Sequence, residues 1–187
     1  MPAIEVDSPE DLRVIEALLQ PEPASAQKQA PPPGIKALVM DFDGIHTDDH
    51  VYVNQHGEES VRCSRADGLG LALLRRAGMK MLILSSEENP VVAARAGKLG
   101  IPVIQGCEKK KAALERWLAE QELEAQEIAY MGNDVNDLEC MRMAGWSCCP
   151  ADAREEAKAV ARYRTQASGG RGALREVAEI LHKRATL

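Results

Sequence analysis

The chain has 187 residues and a formal net charge of −6, and 45% of its residues are hydrophobic although only 3% are aromatic. This length is enough for one compact domain with a full, mostly aliphatic core. The acidic balance without a basic run argues against nucleic acid as the main partner, and no apolar stretch approaches the length that crosses a bilayer.

The amino terminus and the cysteines indicate the compartment. The first residues lack the basic-then-apolar pattern of a signal peptide. The five cysteines are irregularly spaced and include no CxxC pair, which is typical of thiols in a reducing environment. We therefore expect a cytoplasmic protein, and we expect the adjacent Cys148 and Cys149 to pack in the core.

The first 34 residues are predicted to lie outside the main domain. Residues 1–20 are predicted to hold a short helix, since Asp7 or Ser8 can cap a helix that has Pro9 in its first turn. Residues 21–34 are rich in proline and are predicted to be an extended linker.

From residue 35 to residue 187, short apolar runs alternate with segments of helical periodicity. Strands are predicted at 35–41, 79–85, 101–104, 127–131, 146–149 and 161–165, and helices at 67–77, 89–99, 108–122, 135–144, 153–160 and 171–184. This alternation predicts an α/β fold, a Rossmann-like doubly wound parallel sheet with helices on both faces. The segment at about 51–63 breaks the alternation and is predicted to be a β-hairpin.

Two acids, Asp41 and Asp43, stand at the end of the first predicted strand. On an extended backbone they project to the same side, and neighbouring carboxylates repel each other unless a cation or a shared proton relieves them. A calcium loop is the alternative, but Ile45 occupies the position of its next oxygen ligand. The pair therefore predicts a magnesium site with one carboxylate free to attack.

Polar residues also follow three later strands, at the sheet edge where open α/β sheets keep their sites. They are Ser85 and Ser86, then Lys110, and then Asn133, Asp134 and Asp137. Taken singly, Ser85 is equally well explained as a helix N-cap and Lys110 as a solvated helix start. Together with a nucleophilic acid, however, a hydroxyl, a lysine and further acidic ligands are what phosphoryl transfer requires.

On these residues, the segment 35–187 resembles the haloacid dehalogenase superfamily of phosphohydrolases. The resemblance implies that Asp41 is the nucleophile that forms an aspartyl-phosphate and that Asp43 is the general acid–base. It also implies three groups of binding residues: Ser85, Ser86, Lys110 and Gly44 for the phosphate, Asp41, Asp43, Asn133 and Asp134 for Mg²⁺, and Asp137 and Thr47 in support behind them.

Two positions depart from the pattern of that superfamily. Asn133 stands where an aspartate usually ligates Mg²⁺, and its amide oxygen can coordinate a hard cation but carries no charge. Glu87 stands near the position of a common arginine, where an acid disfavours a phosphate that comes too close. His46 is a third unusual residue, which either titrates near neutrality beside a phosphate or simply packs in the core.

The gaps between the motifs leave no room for a cap domain, so the hairpin stands in its place. This resembles the capless group that acts on phosphorylated eight- and nine-carbon sugar acids, in which tetramers form and one subunit's hairpin covers a neighbour's site. The resemblance implies a homotetramer. Arg62, Arg65 and Arg171 are candidates for binding the substrate's carboxylate, and surface or subunit contacts are their alternative role.

Residues 1–20 resemble the closing segment of a sugar-acid cytidylyltransferase, a class that can carry a capless phosphatase-like domain. This implies a cytidylyltransferase domain upstream in a parent protein, and it favours an N-acylneuraminate or other nonulosonate 9-phosphate as substrate. Two functions stay open. One is a Mg²⁺-dependent phosphatase, and the other is a catalytically weak or inactive module that tetramerises or regulates a cytidylyltransferase. A mutase or a dehalogenase is a lesser alternative.

Overall fold

The computed structural model describes residues 29–185, so the predicted segment 1–20 and most of the predicted linker 21–34 lie outside the described residues. In chain order the elements are β1 (Ala37–Met40), β2 (Val51–Val53), β3 (Glu59–Val61), α1 (Arg65–Arg76), β4 (Lys80–Leu84), α2 (Pro90–Leu99), β5 (Val103–Ile104), α3 (Lys110–Gln121), a 3-10 turn (Ala125–Glu127), β6 (Ile128–Met131), a second 3-10 turn (Val135–Asp137), α4 (Leu138–Met143), β7 (Trp146–Cys149), α5 (Glu155–Val160), β8 (Tyr163–Arg164) and α6 (Ala173–Ala185).

Six of the strands form one parallel sheet in the order β5-β4-β1-β6-β7-β8. Strand β1 lies in the middle, where Met40 pairs with Ile83 of β4 and with Met131 of β6. All residues of β1 are buried, as expected for a continuous apolar run in a parallel sheet that is covered on both faces. The predicted parallel α/β sheet is therefore confirmed.

Helices cover both faces of this sheet. The side chains of Leu38 and Met40 belong to the core between the sheet and helices α1, α2 and α6. The side chains of Ala37 and Val39 belong to the core on the opposite face, which α3, α4 and α5 cover. Cys148 and Cys149 are buried in β7, so the prediction that they pack in the core is confirmed.

Three departures from the predicted elements occur next to the candidate site. The helix predicted at 135–144 is divided, because Asp134 and Asp137 form a capping box that closes a 3-10 turn before α4 begins at Leu138. The helices predicted at 108–122 and 171–184 each begin two residues later, at Lys110 and Ala173. In each case the residues ahead of the helix form a polar loop at the carboxyl edge of the sheet.

The hairpin is confirmed as a separate antiparallel pair of β2 and β3. In its first strand, Val51, Tyr52 and Val53 each have half or more of their surface exposed. A side-chain hydrogen bond ties it to the domain, in which Asn89 Nδ2 donates to Glu59 Oε2 over 2.9 Å. Within residues 29–185, no helix is both long and apolar enough to cross a membrane.

Candidate active site

The loop after β1 fixes the two predicted catalytic acids at the edge of the sheet. Asp41 is almost fully buried, its N–H donates to Met131 O, and its Oδ1 accepts the N–H of Phe42 over 2.7 Å. Asp43 is half-buried, and its Oδ1 accepts a hydrogen bond from the Thr47 hydroxyl over 3.3 Å. The same hydroxyl oxygen accepts the Gly44 N–H. Thr47 therefore braces the loop that carries Asp43.

Lys110, the first residue of α3, lies between two carboxylates. Its Nζ is 2.7 Å from Asp41 Oδ2 and 2.9 Å from Asp137 Oδ1, and its side chain is only 1% exposed. Burial lowers the pKa of Lys110, but the two carboxylates outweigh burial and raise that pKa above its usual value. The ammonium therefore stays charged beside Asp41.

Asp41 is poorly compensated by this single cation. Burial and the nearby charge of Asp137 raise the pKa of Asp41 to about 8, against the opposing effect of Lys110. Two buried carboxylates that share one ammonium leave net negative charge in a poorly solvated place. The arrangement therefore favours a further cation beside Asp41.

Asp137 connects Lys110 to the loop after β6. Its Oδ1 also accepts a hydrogen bond from the Tyr130 hydroxyl over 2.8 Å, and its Oδ2 accepts the Asn133 N–H over 3.0 Å. Sequence reasoning missed Tyr130, because a tyrosine in an apolar strand reads as core. The available signal was its hydroxyl, which needs a partner when a tyrosine is buried.

The side chains of Asn133 and Asp134 contact different parts of the structure. Asn133 is buried and its Oδ1 has no hydrogen-bond partner, whereas its amide packs so closely on Gly44 that a Cβ there would lie 2.1 Å from Asn133 Nδ2. Asp134 instead caps the 3-10 turn, accepting the Val135 N–H on Oδ1, and its Oδ2 lies 3.6 Å from Arg154 Nε. Of the two neighbours, Asn133 is the one that approaches the loop of Asp43.

The residues at this place fit Mg²⁺. In the described part of the chain no three His, Cys, Asp or Glu side chains converge on one point, so the candidate ligands are two carboxylates and an amide. An unpartnered buried amide oxygen is costly unless something satisfies it, and Mg²⁺ prefers oxygen donors of this kind. Asp41, Asp43 and Asn133 would hold the ion, and Asp134 lies aside.

An open cleft of about 390 Å³ lies in front of the acids. Its lining includes Asp41, Asp43, Ser85, Ser86, Glu87, Glu88, Gly106, Glu108 and Asn136. Ser85 is buried, and its hydroxyl oxygen accepts the Glu87 N–H over 3.1 Å, while the Ser86 hydroxyl donates to Cys107 O. The two predicted phosphate-binding serines therefore reach the same cleft as the acids.

Glu87 is turned toward its own backbone. Its Oε1 accepts the N–H groups of Glu88 and Asn89, over 2.7 and 2.9 Å, just ahead of α2. Burial and, next, the charge of Glu87 raise the pKa of Asp43 above its usual value. In the absence of a metal, the negative charge of Glu87 thus favours the protonated form of Asp43.

Two of the three arginines proposed for the substrate converge on one carboxylate. Arg62, just after the hairpin, and Arg171, ahead of α6, both direct a terminal nitrogen at Asp48 Oδ2. Their side chains are 53% and 63% exposed, so most of their donors face solvent. Arg65 opens α1, is exposed, and is not a partner of Asp48 in residues 29–185.

His46 packs behind the catalytic loop. Its ring stacks on Phe42 with 5.5 Å between centroids, and neither ring nitrogen has a hydrogen-bond partner. Full burial, with a smaller effect from the Arg95 charge, lowers the pKa of His46 to about 3. The hypothesis that His46 titrates near neutrality is therefore wrong, because burial disfavours its charged form, and the packing role is the one observed.

Known proteins are similar to this chain in sequence and in fold. The haloacid dehalogenase-like hydrolase family matches residues 85–174. The 3-deoxy-D-manno-octulosonate 8-phosphate phosphatase of Escherichia coli is 32% identical over 85% of this chain and 85% of its own length. The chain belongs to the haloacid dehalogenase superfamily. The members of this superfamily that it matches over most of their own length include phosphatases.

Solved structures of other haloacid dehalogenase proteins superpose closely on this one. A Streptomyces avermitilis protein described as a HAD family hydrolase shares 48% identity, covering 81% of this chain and 88% of the other at a TM-score of 0.78. The 3-deoxy-D-manno-octulosonate 8-phosphate phosphatase of Moraxella catarrhalis, solved with magnesium, phosphate and KDO, shares 36% identity over 81% of this chain and 87% of its own at a TM-score of 0.79.

A second group of relatives consists of proteins that are much longer than this chain. N-acylneuraminate cytidylyltransferase A of Danio rerio is 34% identical over 79% of this chain, which spans only 35% of the length of that relative. The match thus concerns about a third of the cytidylyltransferase.

Proposed function

We propose that this protein is a Mg²⁺-dependent phosphomonoesterase that acts through an aspartyl-phosphate on a phosphorylated sugar acid, an N-acylneuraminate or other nonulosonate 9-phosphate. The observation that carries the proposal is the position of Lys110, which lies 2.7 Å from Asp41 Oδ2 at the foot of an acid-lined cleft. The phosphatase from Moraxella, whose structure holds magnesium, phosphate and KDO, supports the cofactor and the substrate class.

In the proposed reaction, Asp41 is the nucleophile and Asp43 transfers the protons. A carboxylate oxygen of Asp41 attacks phosphorus, the ester P–O bond breaks, and the leaving alkoxide takes a proton from Asp43. Asp43 then takes a proton from a water molecule that attacks the aspartyl-phosphate, which releases inorganic phosphate and restores Asp41.

The remaining residues bind and orient the phosphate. Lys110 places a permanent positive charge beside Asp41, and Ser85 and Ser86 bring hydroxyl groups to the cleft, so that donors meet the oxygens on which negative charge grows. Mg²⁺, held by Asp41, Asp43 and Asn133, would screen the phosphate from the attacking carboxylate. Gly44 admits the close approach of Asn133.

The charge distribution favours a substrate with its two anionic groups far apart. Glu87, Glu88 and Glu108 line the cleft, so a second anionic group next to the phosphate would be repelled. The guanidinium groups of Arg62 and Arg171 lie by Asp48, beyond the loop of Asp43. A long sugar acid that carries its phosphate and its carboxylate at opposite ends matches this pattern.

The homotetramer also remains a proposal. The exposed apolar strand of the hairpin, Val51–Val53, supports burial against another subunit, because apolar side chains in a row rarely stay in water without a partner. Light scattering of the purified protein tests this: a monomer at micromolar concentration would contradict a site completed between subunits.

The decisive experiment measures phosphate release with Mg²⁺ from a panel of phosphate esters. The panel contains N-acylneuraminate 9-phosphate, the eight-carbon 3-deoxy-octulosonate 8-phosphate and p-nitrophenyl phosphate. We expect hydrolysis of at least one sugar-acid phosphate, abolished in Asp41→Asn, which keeps the shape of the side chain but removes the nucleophile. Wild-type rates in Asp41→Asn would contradict the mechanism, and hydrolysis of p-nitrophenyl phosphate alone would contradict the substrate class.

A second candidate function follows from the match to about a third of the cytidylyltransferases. In that case the domain would be a non-catalytic module that tetramerises or regulates an attached transferase, and Asn133 would mark a lost metal site. A Mg²⁺ titration of the melting temperature separates the candidates, since a ligand that binds only the folded state stabilises it. Stabilisation at millimolar Mg²⁺ favours the phosphatase, and its absence favours the module.

A further inference from the structure

Tyr130 is a buried polar residue that the proposed chemistry does not use. It lies in the middle of the sheet on β6, has no exposed surface, and is absent from the lining of the cleft. Its hydroxyl donates to Asp137 Oδ1 over 2.8 Å. Its hydroxyl also has a side-chain hydrogen bond with Cys140. Because Tyr130 does not reach the cleft, its effect on the reaction must pass through these neighbours, and Asp137 is the one of the two that pairs with Lys110.

The Asp137 oxygen that Tyr130 binds is also the one that binds Lys110. Lys110 Nζ lies 2.9 Å from this oxygen and 2.7 Å from Asp41 Oδ2. One ammonium therefore lies between two carboxylates. Asp137 Oδ1 has about two lone-pair sites, and the hydrogen bond from Tyr130 uses one of them, which leaves less of this oxygen's acceptor capacity for the lysine. The position of Lys110 relative to Asp41 depends on that balance.

We propose that Tyr130 is a positioning residue for the Lys110–Asp41 pair, an inference that rests on the proposed phosphatase function. Its hydroxyl provides one of the hydrogen bonds that Asp137 Oδ1 accepts, so that Lys110 remains in contact with Asp41. It also fixes the orientation of the Asp137 carboxylate, whose Oδ2 accepts the Asn133 N–H over 3.0 Å. Tyr130 thereby supports both the lysine and the candidate metal ligand.

The surroundings of Asp137 make this support hard to replace. Gly132 lies so close that a Cβ there would be 2.4 Å from Asp137 Cβ, which blocks movement of the carboxylate toward that side. Loss of a single hydroxyl opens a space smaller than a water molecule requires. In Tyr130→Phe, Asp137 Oδ1 would therefore keep Lys110 as its only side-chain donor and draw it away from Asp41.

Tyr130→Phe is tested against Tyr163→Phe, a matched control. Tyr163, on the edge strand β8, also donates its hydroxyl to a carboxylate, Glu176 Oε1, over 2.7 Å, but it lies outside the cleft. We expect kcat to fall about tenfold in Tyr130→Phe with KM close to wild type, since small displacements of positioned groups cost this much or more. Tyr163→Phe should keep the wild-type kcat.

Mg²⁺ affinity provides a readout that does not depend on turnover. Isothermal titration calorimetry should show weaker Mg²⁺ binding in Tyr130→Phe, because the Asn133 backbone loses a firm anchor, and unchanged binding in Tyr163→Phe. The inference is overturned if kcat and Mg²⁺ affinity of Tyr130→Phe both equal those of Tyr163→Phe. If the wild type hydrolyses no ester of the panel, the proposed function fails, and the calorimetry alone then decides the role of Tyr130.

Discussion

Asn133 and Gly44 lie in direct contact: a methyl group added at Gly44 would meet Asn133 Nδ2 at 2.1 Å. The contact holds the amide against the loop that carries Asp43 and leaves Asn133 Oδ1 buried without a partner. Gly44 has a φ of +68°, a conformation that glycine adopts without strain. The absence of a side chain at Gly44 thus allows the amide to lie where a metal ligand is needed.

This contact predicts that Asn133→Asp strengthens Mg²⁺ binding. A carboxylate at the same place adds a negative charge to the ligands, and ligand charge is a main determinant of affinity for hard cations. We expect the dissociation constant to fall by roughly tenfold, measured by calorimetry at constant pH. Asp134→Asn is the control, because Asp134 caps the 3-10 turn and approaches Arg154. A larger effect of the control would identify Asp134 as the ligand instead.

The arginine cluster predicts a selective effect on substrates that carry a carboxylate. In Arg62→Gln and Arg171→Gln, we expect KM for the sugar-acid phosphate to rise about tenfold, the equivalent of one charge-assisted hydrogen bond. KM for p-nitrophenyl phosphate, which has no carboxylate, should not change. Arg76→Gln, at the other end of α1, is the control, because Arg76 is exposed and is not a candidate for the substrate. An equal effect there would show that the response reflects general charge rather than this pair.

The sequence predicts the catalytic edge of the sheet because parallel strands bring their carboxyl ends together. Asp41, Ser85 and Lys110 could thus be grouped from strand order alone, and the structure brings them to one cleft or to its floor. The choice between Asn133 and Asp134 could not be made in the same way. It depends on a 3-10 turn that the helical periodicity of 135–144 does not reveal.

Two relationships were beyond sequence reasoning for different reasons. Arg62 and Arg171 are more than a hundred residues apart, and no periodicity relates a hairpin exit to a loop ahead of the last helix, so their meeting at Asp48 depends on the folded topology. Tyr130 sits in an apolar strand, where the local pattern indicates only burial. Its hydrogen bond to Asp137 becomes visible only with both positions known.

We expect that replacing His46 stabilises the folded protein. Its buried ring nitrogens have no partners, and an unsatisfied buried polar group costs about 1–3 kcal/mol. His46→Leu removes that cost and loses the stack on Phe42, worth about 0.5–1.5 kcal/mol. We expect a net stabilisation of about 1 kcal/mol by urea unfolding, with kcat unchanged. Destabilisation, or loss of activity in a folded variant, would point to a role beyond packing.

The raised pKa of Asp41 predicts how the stability of the metal-free protein depends on pH. Its pKa is raised from 3.8 to about 8 by burial first and by Asp137 next, so between these values the folded state binds more protons than the unfolded state. The free energy of unfolding must then fall as pH rises through this window and level off above pH 8. Thermal unfolding in EDTA should show the decline in wild type and a shallower one in Asp41→Asn, whose side chain does not ionise.

Mg²⁺ should reverse this decline, because a cation beside Asp41 favours the carboxylate. The stabilisation that saturating Mg²⁺ produces in wild type is therefore expected to grow from pH 5 to pH 8, as fewer protons compete with the ion for Asp41. Asp41→Asn should show a smaller stabilisation with little dependence on pH. A wild-type response to Mg²⁺ that is the same at both pH values would mean that Asp41 is not a ligand, and the metal would then have to be sought away from the nucleophile.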